Sequence, residues 1–348
     1  MNILISCIGK RGYLADYFRA HLGPGDRIIG TSNTRWTPGF ASCDKAFVLP
    51  DIDTPEHIPA ILDICKQEKV DGLFSLFDPD VEALSRNLNA VRSLGVVPIV
   101  CSAEVSRVCF DKWQTYLFLR EHQFKVPTTF IDLEEAKEAL RRGVIAFPLV
   151  VKPRYGYGTR HTFFTRDIEQ LDAFFHYVPD MVVQQAILGS EHNMDLCLDL
   201  DGEVIAVVAE RKFERHGGET EQAEAVHEPR LMEAGLRLGR TMGALGHVGP
   251  LDVDVFLQGD TAVILELNPR FGGMYPTAHL AGADFPRMVL KMIRGEPVRP
   301  CIGDYRAGVR MMKSYLIVNG HRLSSDGHIH DGQDDASKLE STGFHSTV

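Results

Sequence analysis

The sequence has no apolar run long enough to cross a membrane and no excess of positive charge. A membrane-spanning helix needs about 18 or more consecutive apolar residues, and no stretch of this chain approaches that length. The 37 Lys and Arg residues are outnumbered by 47 Asp and Glu residues, which gives a formal net charge of -10. Because proteins that bind phosphate backbones normally carry a basic patch, we expect neither nucleic acid nor a membrane as a partner.

Cysteine is sparse and scattered. The 348 residues contain 7 cysteines, an odd number, and no Cys-x-x-Cys pair. This pattern argues against a disulfide framework and against a zinc site. The N-terminal apolar run is short and is followed at once by charged residues, unlike a signal peptide. We therefore expect a soluble protein of the reducing cytoplasm.

The dinucleotide-binding glycine motif is also missing. Apolar runs alternate with helical patterns from residue 1 to about 102, which predicts a parallel, doubly wound sheet. The turn after the first strand, Gly9 to Gly12, lacks the G-x-G-x-x-G spacing, and "SNTRWTPG" stands where a ribose-binding acid should follow. A structural turn is the favoured interpretation, and a nicotinamide-dependent dehydrogenase is the weakest alternative.

Antiparallel patterns follow the first hundred residues. A helical stretch from Ser102 to His122 comes first, with Ser102 as its N-cap. From Phe147 onward short strands alternate with turns, including a hairpin that turns at Asp201-Gly202. The charged segment 212–225 is too long for a simple connector, and we predict a loop that closes over the site as a lid.

A second hairpin, "LDVDVFLQGDTAVILELN", carries the main chemical signal. A register centred on Asp260 places Asp254 opposite Glu266, and Asp252 opposite Asn268. Like charges that face each other across a sheet are destabilising, and Mg²⁺ would relieve them because it prefers oxygen ligands. The pattern predicts a metal site of Asp254, Glu266 and Asn268. The alternative is a solvated acidic face.

Residues next to this hairpin suit phosphate chemistry. Arg270 continues the polar face of the strand and could clamp a phosphoryl oxygen, while Gly272 and Gly273 would let backbone N–H groups approach an anion. Upstream, Lys152 ends a strand and precedes the turn "RYGYGT", which lacks the Gly-Lys-Ser/Thr ending of a Walker A loop. Together they predict a nucleotide site of another type.

The order of these pieces resembles the ATP-grasp superfamily, in particular its carbamoyl-phosphate-synthase-like and carboxylate–amine ligase branches. The resemblance rests on Lys112, on Lys152 with its glycine turn, and on "VVQQAILGSEHNMDL", "GPLDVDVF" and "ELNPRFGG". "NILISCIGKRGYL" and "VDGLFSLFDPDVEAL" resemble the Rossmann-like domain that precedes the nucleotide site in those enzymes. The resemblance implies an α/β and α+β chain, with a parallel sheet followed by a two-lobed ATP-grasp fold with antiparallel sheets.

Four segments follow from this resemblance. Residues 1–102 would form the Rossmann-like domain, 103–184 the small ATP-grasp lobe with its linker helices, 185–319 the lobe with the metal site, and 320–348 a polar tail. In the tail, His328 and His330 could bind a transition metal or simply be solvated. In the first domain, Asp78 and Asp80 follow a predicted strand, and either one meets a cationic acceptor or Asp80 caps a helix.

The resemblance also implies residue roles. Lys112 and Lys152 would contact the phosphates of ATP, under a loop that closes over them. Gln184 would face the adenine amino edge, where the family often has Glu. Arg270 would steady an acyl phosphate, beside the magnesium or manganese site of Asp254, Glu266 and Asn268. The remaining implied nucleotide contacts are the loop residues Tyr155, Gly156, Gly158 and Thr159, the adenine-pocket residues Gln185, Ala186 and Ile187, and the ribose ligand Glu191.

The implied activity is that of an ATP-dependent ligase. ATP would activate a carboxylate as an acyl phosphate, and an amine would displace phosphate to form an amide-like bond. A bicarbonate-activating carboxylase-like enzyme and a non-catalytic ATP-binding protein remain alternatives. The expected partners are a small-molecule carboxylate and an amine; homodimers are common in the family, so a homodimer is one assembly to consider.

Overall fold

The computed structural model describes residues 1–156, 158–216, 219–314, 316–318, 322–323 and 327–330. In these ranges the strands form a parallel sheet near the N-terminus, two antiparallel or mostly antiparallel sheets, and a short two-stranded ribbon. No helix in the described ranges is both long and apolar enough to span a membrane.

The first sheet contains five parallel strands in the order β3-β2-β1-β4-β5. Leu4, Ile29 and Leu73 pack on one side, whereas Ile3, Ile28 and their neighbours pack on the other. Both faces are buried, as a doubly wound sheet requires, so the predicted parallel sheet is confirmed. Its elements are β1 (Asn2–Ser6), α1 (Gly12–Arg19), β2 (Arg27–Ser32), β3 (Lys45–Val48), α2 (His57–Gln67), β4 (Gly72–Ser75), α3 (Asp78–Ser85), α4 (Leu88–Ser93) and β5 (Val97–Pro98).

Two helices, not one, connect this sheet to the next. The predicted single helix from Ser102 to His122 is broken at Asp111 into α5 (Ala103–Phe110) and α6 (Lys112–Glu121). Ser102 caps α5 as predicted, because its hydroxyl accepts from the Val105 N–H. Asp111 has an extended backbone and caps α6, accepting from the N–H groups of Trp113 and Gln114. The break therefore starts a new helix directly before Lys112.

A four-stranded antiparallel sheet follows, in the order β6-β9-β7-β8. Lys152 lies near the end of β7, paired with Val182 of β9. Leu149, Val151, Leu171 and Val183 form its core. Its elements are β6 (Thr129–Phe130), α7 (Leu133–Arg141), β7 (Leu149–Pro153), β8 (Phe163–Thr165), α8 (Ile168–Phe175) and β9 (Met181–Gln185).

The largest sheet follows the order β14-β13-β10-β11-β12-β16, with β15 pairing beside β11. Helix α9 covers one face with the buried side chains of Leu231, Leu238 and Met242. Its elements are β10 (Ser190–Leu198), β11 (Val204–His216), β12 (Glu219–Val226), α9 (Pro229–Ala244), β13 (Gly249–Gln258), β14 (Thr261–Asn268), α10 (Tyr275–Ala281), α11 (Phe285–Ile293), β15 (Cys301–Ile302) and β16 (Arg310–Met312).

The predicted lid loop at 212–225 is wrong. This segment consists of the end of β11 and most of β12, paired antiparallel from His216↔Glu219 to Ala209↔Val226, with two register irregularities. Ala223 and Ala225 are buried while Glu214 and Glu224 carry charge beside them, so short apolar residues alternate with charged ones. The high charge suggested a loop, but it belongs to strands with one polar face.

The C-terminal segment is described only in part. A ribbon of β17 (Arg322–Leu323) and β18 (Ile329–His330) lies within the predicted tail, and apart from Gly327 and His328 the rest of that tail falls outside the described residues. His328 pairs with Lys45 through an isolated backbone bridge. The domain bounds at 102, 184 and 319 stay predictions, as does the suggestion that the two tail histidines bind metal.

Candidate active site

A cleft of about 1720 Å³ separates the parallel sheet from the polar face of the largest sheet. The loop after β1 and the start of α3 line one wall, and residues of β13, β14 and the turn after β14 line the other. Ligands of open α/β sheets usually bind beyond the carboxyl ends of the strands, which is where the first wall lies. The cleft thus brings the two halves of the chain to one place.

The register of the β13–β14 hairpin agrees with the prediction at the site. Asp254 pairs with Glu266, and Asp252 pairs with Asn268. The register shifts by one residue beyond Asp254, so that Gln258 pairs with Thr261 at the turn. The irregularity lies between the turn and the polar residues, and it leaves the facing carboxylates where the alternation predicted them.

Ammonium groups lie beside both facing carboxylates. Lys112 Nζ lies 3.2 Å from Glu266 Oε1, and Lys212 Nζ makes a short contact with Asp254 Oδ1. No group of three or more Asp, Glu, His or Cys side chains is arranged to hold a metal among the described residues. Two carboxylates with the amide oxygen of Asn268 still form a hard-oxygen donor set, which suits Mg²⁺ held partly by phosphates and water.

Arg270 is buried between carboxylates of both walls. Its Nε and Nη2 donate to Asp78 Oδ2 at 3.0 and 2.9 Å, and its Nη1 lies 3.6 Å from Asp252 Oδ2. Nη2 also donates to Asn268 Oδ1, 3.2 Å away. Burial lowers the pKa of Arg270, but the negative charges of Asp78 and Asp252 outweigh burial and hold that pKa above its ordinary value. The guanidinium therefore stays charged in the turn that follows β14.

Asp78 and Asp80 have separate partners. Asp78 meets Arg270, a cation of the protein itself. Asp80 is fully buried and its Oδ1 lies 2.7 Å from His57 Nε2, so the predicted helix-cap role of Asp80 is wrong. Helix α3 has no side-chain cap.

The two glycines after the strand have different surroundings. A Cβ on Gly272 would lie 2.6 Å from Asp252 Oδ1 and 3.0 Å from Asp195 Oδ1, so close packing against carboxylates requires glycine there. A Cβ on Gly273 would meet only Lys313 Nζ, 3.9 Å away. Gly273 borders the cleft, whereas Gly272 is pressed against the sheet. Donation from either N–H to an anion stays a prediction.

Lys152 is desolvated beside the predicted metal ligands. Its side chain is buried, and burial lowers its pKa to about 8, although Glu266 acts in the opposite direction. Lys112 donates from Nζ to the Gly156 carbonyl, 2.9 Å away, as well as contacting Glu266. Both lysines predicted for the phosphates therefore lie close to the predicted metal site.

The glycine loop after Lys152 has an unusual backbone. Gly158 and Thr159 adopt φ values of +67° and 55°, in the left-handed region that glycine tolerates and Thr rarely adopts. Tyr155 is half exposed, and Tyr157 lies outside the described residues.

Asp111 anchors this loop, and the sequence argument missed it. Its carboxylate accepts from Arg154 Nε at 2.7 Å and from Arg154 Nη2 at 2.6 Å, and from the Tyr155 hydroxyl at 3.3 Å. Burial raises the pKa of Asp111, but Arg154 and the helix-cap N–H groups outweigh it and lower that pKa. The predicted single helix had placed Asp111 in a helix interior, so nothing in the sequence pointed to this role.

The residues predicted for adenine lie at the end of β9. Gln184 is buried, and its Nε2 donates to Thr129 Oγ1 at 2.9 Å. The Gln185 amide bonds the backbone of Ala146 in both directions, at 2.8 and 3.0 Å. Ala186 and Ile187 are half-buried. Both glutamine side chains are thus committed to the protein, and direct contact between Gln184 and a base stays a prediction.

Lys212 is the central functional candidate that the sequence argument placed wrongly. Its ammonium contacts Asp254 and lies 3.4 Å from Glu191 Oε1, which also makes a short contact with Arg215. Burial lowers the pKa of Lys212, but Asp254 and Glu191 outweigh burial and raise it. Lys212 therefore links the predicted ribose ligand to a predicted metal ligand. Lys212 pairs with the buried Ala223 of β12. The alternation of buried and charged residues along these strands was the available signal.

Two further carboxyl groups lie beneath the cleft without a close cation. Asp195 and Glu210 are fully buried, and one oxygen of Asp195 and both oxygens of Glu210 lack a hydrogen-bond partner among the described residues. Burial raises the pKa of each, and the nearby Asp252 charge raises both further. These groups are therefore kept from ionising together. The alternation in β10 and β11 did not distinguish them from packing positions.

Comparison with known proteins identifies two domains in the chain. Residues 109–274 match the family model described as the ATP-grasp domain, and residues 3–99 match the model of the PylC-like N-terminal domain. The chain therefore contains an ATP-grasp domain with a PylC-like domain in front of it. The resemblance drawn from the motifs is confirmed, as is the mixed α/β fold class.

Similarity in sequence is modest. The carbamoyl phosphate synthase large chain of Pseudomonas putida is 23% identical over 284 residues, which cover 75% of this chain and 26% of that protein. The formate-dependent phosphoribosylglycinamide formyltransferase of Thioalkalivibrio sulfidiphilus is 21% identical over 265 residues, covering 71% of this chain and 64% of that protein. The chain thus spans about a quarter of the length of the carbamoyl phosphate synthases that it matches.

Solved structures share the fold. The biotin carboxylase domain dimer of Hydrogenobacter thermophilus 2-oxoglutarate carboxylase, a complex with MgADP, ADP and bicarbonate, aligns with a TM-score of 0.73 at 16% identity, covering 89% of this chain and 73% of that one. The L-amino acid ligase from Bacillus licheniformis aligns with a TM-score of 0.64 at 19% identity, covering 86% and 77%. At these identities the likeness concerns the fold.

Proposed function

We propose that this protein is an ATP-dependent carboxylate–amine ligase. The observation that carries the proposal is the antiparallel register that sets Asp254 opposite Glu266 and Asp252 opposite Asn268, with Arg270 in the turn after the same strand. Lys112, from another element, contacts Glu266, and the charge of Glu266 acts on the buried Lys152. The names of the relatives and structural neighbours, which include synthetases and an amino acid ligase, support the same class.

ATP would lie between the two antiparallel sheets. Lys112 and Lys152 would neutralise its phosphates, and the loop that Asp111 anchors through Arg154 would cover them. Glu191 would accept hydrogen bonds from the ribose. Asp254, Glu266 and Asn268 would hold Mg²⁺, which supplies positive charge to the phosphate oxygens when it is bound.

The first step moves the terminal phosphoryl group of ATP to a carboxylate oxygen of the substrate. The bond from that phosphorus to the bridging oxygen of ADP breaks as the bond to the carboxylate forms, which yields ADP and an acyl phosphate. Arg270 would hold the carboxylate and then the acyl phosphate, because its fork donates to two oxygens at once. Asp78 keeps this fork aimed across the cleft.

The second step forms the C–N bond. The lone pair of an uncharged amine attacks the acyl carbon, the C–O bond to phosphate breaks, and the amine proton leaves with phosphate or to solvent. Little covalent participation by the protein is needed, since positioning and charge neutralisation supply most of the acceleration in such reactions. The walls of the cleft would protect the acyl phosphate from water.

The test is phosphate release from Mg-ATP against a panel of amino acids, other small carboxylates and amines, with mass spectrometry of the products. We expect release that requires both a carboxylate and an amine, together with a condensed product. Glu266→Gln should abolish ADP formation while the protein stays folded, and Glu203→Gln, an exposed turn residue, should not. ATP binding without turnover across the panel would instead favour a regulatory nucleotide-binding protein, and bicarbonate-dependent ADP formation a carboxylase-like enzyme.

A further inference from the structure

Three further hydrogen-bond donors of the cleft lack a close carboxylate partner among the described residues. Arg11 lies in the loop after β1, Tyr13 at the start of α1, and Lys313 directly after β16. All three border the cleft. This set lies outside the nucleotide and metal residues considered above.

Arg11 has no ion-pair partner among the described residues. Its Nη1 donates to two backbone carbonyls, that of Phe271 at 3.0 Å and that of Leu76 at 3.4 Å. The same Phe271 carbonyl accepts from Arg270 Nη1 at 3.0 Å, so both guanidinium groups donate to one oxygen. Burial and the neighbouring Arg270 charge lower the pKa of Arg11, although Asp78 and Asp252 act in the opposite direction.

Lys313 is held beside Gly273. Its backbone N–H donates to the Glu221 carbonyl at 2.9 Å, and its Nζ lies 3.9 Å from the position of a Cβ on Gly273. Its nearest carboxylate oxygen belongs to Glu219, 3.8 Å away on a side chain that is 69% exposed. Such a contact is largely screened by water. Burial lowers the pKa of Lys313, Glu219 and Glu221 act in the opposite direction, and the positive charge of Arg11 lowers it further.

Tyr13 adds a neutral donor. Its hydroxyl makes no hydrogen bond to another residue of the described ranges, although its side chain is half-buried. Burial raises its pKa, and the Arg11 charge opposes that change, so the phenol stays protonated next to the guanidinium. A protonated phenol can donate to an anion.

The cations near Gly273 differ in their partners. Arg270 engages Asp78 and Asp252, and Lys313 meets only an exposed Glu219 at 3.8 Å, whereas Arg11 pairs with no carboxylate among the described residues. A single unpaired guanidinium matches one carboxylate better than a doubly charged phosphate.

We propose that Arg11, Tyr13 and Lys313 form an anion subsite that binds a carboxylate of the acceptor which is not itself activated. The acceptor is then an amino acid or a related amine that bears a carboxylate. This inference rests on the proposed ligase function, because it concerns the second substrate of that reaction.

Binding is measured first, without nucleotide or metal. Saturation-transfer NMR compares the binding of three kinds of ligand: a mixture of proteinogenic amino acids, their carboxamides, and phosphoethanolamine. Each is tested on the wild type, on Lys313→Met and on Lys66→Met. Lys66 is an exposed lysine on α2 and serves as the control. We expect carboxylate-bearing amines to bind in preference to the others, Lys313→Met to lose this preference, and Lys66→Met to keep it. Equal binding of carboxamides, preferred binding of phosphoethanolamine, or unchanged binding by Lys313→Met would overturn the subsite.

Turnover separates this inference from the proposed function. In the phosphate-release assay Lys313→Met should raise KM for the acceptor about tenfold or more, since a charge-assisted hydrogen bond is lost, while KM for ATP stays constant. Tyr13→Phe should raise KM for the acceptor less, and Lys313→Arg should keep this KM near the wild-type value. Turnover with an unchanged KM for the acceptor in Lys313→Met overturns the subsite but leaves the ligase function. Carboxylate binding that depends on Lys313, with no turnover for any acceptor, overturns the ligase but leaves the subsite.

Discussion

Asp78 and Arg270, which are 192 positions apart in the chain, are joined by two hydrogen bonds to one carboxylate oxygen. Asp78 begins a helix of the PylC-like domain, and Arg270 lies two residues after the strand that carries the predicted metal ligands Glu266 and Asn268. Both side chains are largely buried, and the second oxygen of Asp78 has no partner among the described residues. The first domain therefore orients a group that we place at the acyl phosphate.

The first prediction concerns that orientation. Asp78→Asn keeps the shape of the side chain but removes its charge, which weakens both hydrogen bonds from Arg270. The guanidinium should then no longer be held in its orientation. We expect kcat to fall about tenfold to a hundredfold, because hydrogen bonds between charged groups contribute about 1.5–3 kcal/mol each. KM for ATP should stay near the wild-type value, since Lys112 and Lys152 are untouched. Steady-state kinetics measures these values, and Asp63→Asn, at an exposed position on α2, is the control. An unchanged kcat in Asp78→Asn would contradict the orienting role of Asp78.

The second prediction concerns Lys212. Lys212→Met leaves Asp254 and Glu191 without the buried ammonium that both contact. Without Mg²⁺ we expect the free energy of unfolding to fall by about 3 kcal/mol or more, because breaking a buried ion pair leaves an uncompensated charge. Added MgCl₂ should restore more stability to this variant than to the wild type.

Thermal and urea unfolding with and without MgCl₂ measure this difference. Lys137→Met is the control, since Lys137 pairs with Glu134 and Asp172 at the surface, where ion pairs contribute little. Equal responses of both variants to MgCl₂ would argue against a cation site at Asp254.

The third prediction concerns the glycine loop. Asp111→Asn keeps a helix cap but loses the charged pair with Arg154 and weakens the contact with Tyr155. We expect KM for ATP to rise about tenfold while kcat changes less, since the loop loses its anchor. Limited proteolysis should cut the loop faster. Asp132→Asn is a matched control, because Asp132 caps α7 through the Glu135 N–H and has no arginine partner; similar kinetics in the two variants would exclude the anchor.

The fourth prediction concerns pH and stability. His247 is fully buried, neither ring nitrogen has a hydrogen-bond partner in the described part of the chain, and burial lowers its pKa to about 4. Because the folded-state pKa of His247 lies below the unfolded value of about 6.5, protonation favours the unfolded chain. The contribution of the neutral, buried imidazole to the free energy of unfolding is therefore complete above pH ~6.5 and is lost as the pH falls toward about 4. The loss should approach roughly 3 kcal/mol.

Urea unfolding between pH 4 and 7 tests this prediction through the difference between the wild type and His247→Leu. The variant should lose less stability on acidification than the wild type. His176→Leu, at an exposed position, should follow the wild type. Parallel curves for wild type and His247→Leu would show that His247 does not set the acid dependence.

The sequence alone was sufficient wherever a local pattern carries the information. Alternation of polar and apolar residues about a short turn placed Asp254 opposite Glu266, and the structure has that pairing. The alternating strands and helices of the first hundred residues likewise predicted the parallel sheet, because their period and length follow from backbone geometry. The same reasoning failed at 212–225, where charged residues on the solvent face of long strands look like a loop.

Contacts between distant segments were decided only by the tertiary structure. Asp78 was readable as a ligand for a cationic acceptor, and only the packing of the first domain against the hairpin placed it on Arg270. Lys212, Asp111 and Lys313 carry no motif of their own, since their partners lie on other strands and loops. Local periodicity determined which residues share a face of a strand, whereas the closure of two sheets around a cleft decided which charges neutralise one another and which are left to bind a substrate.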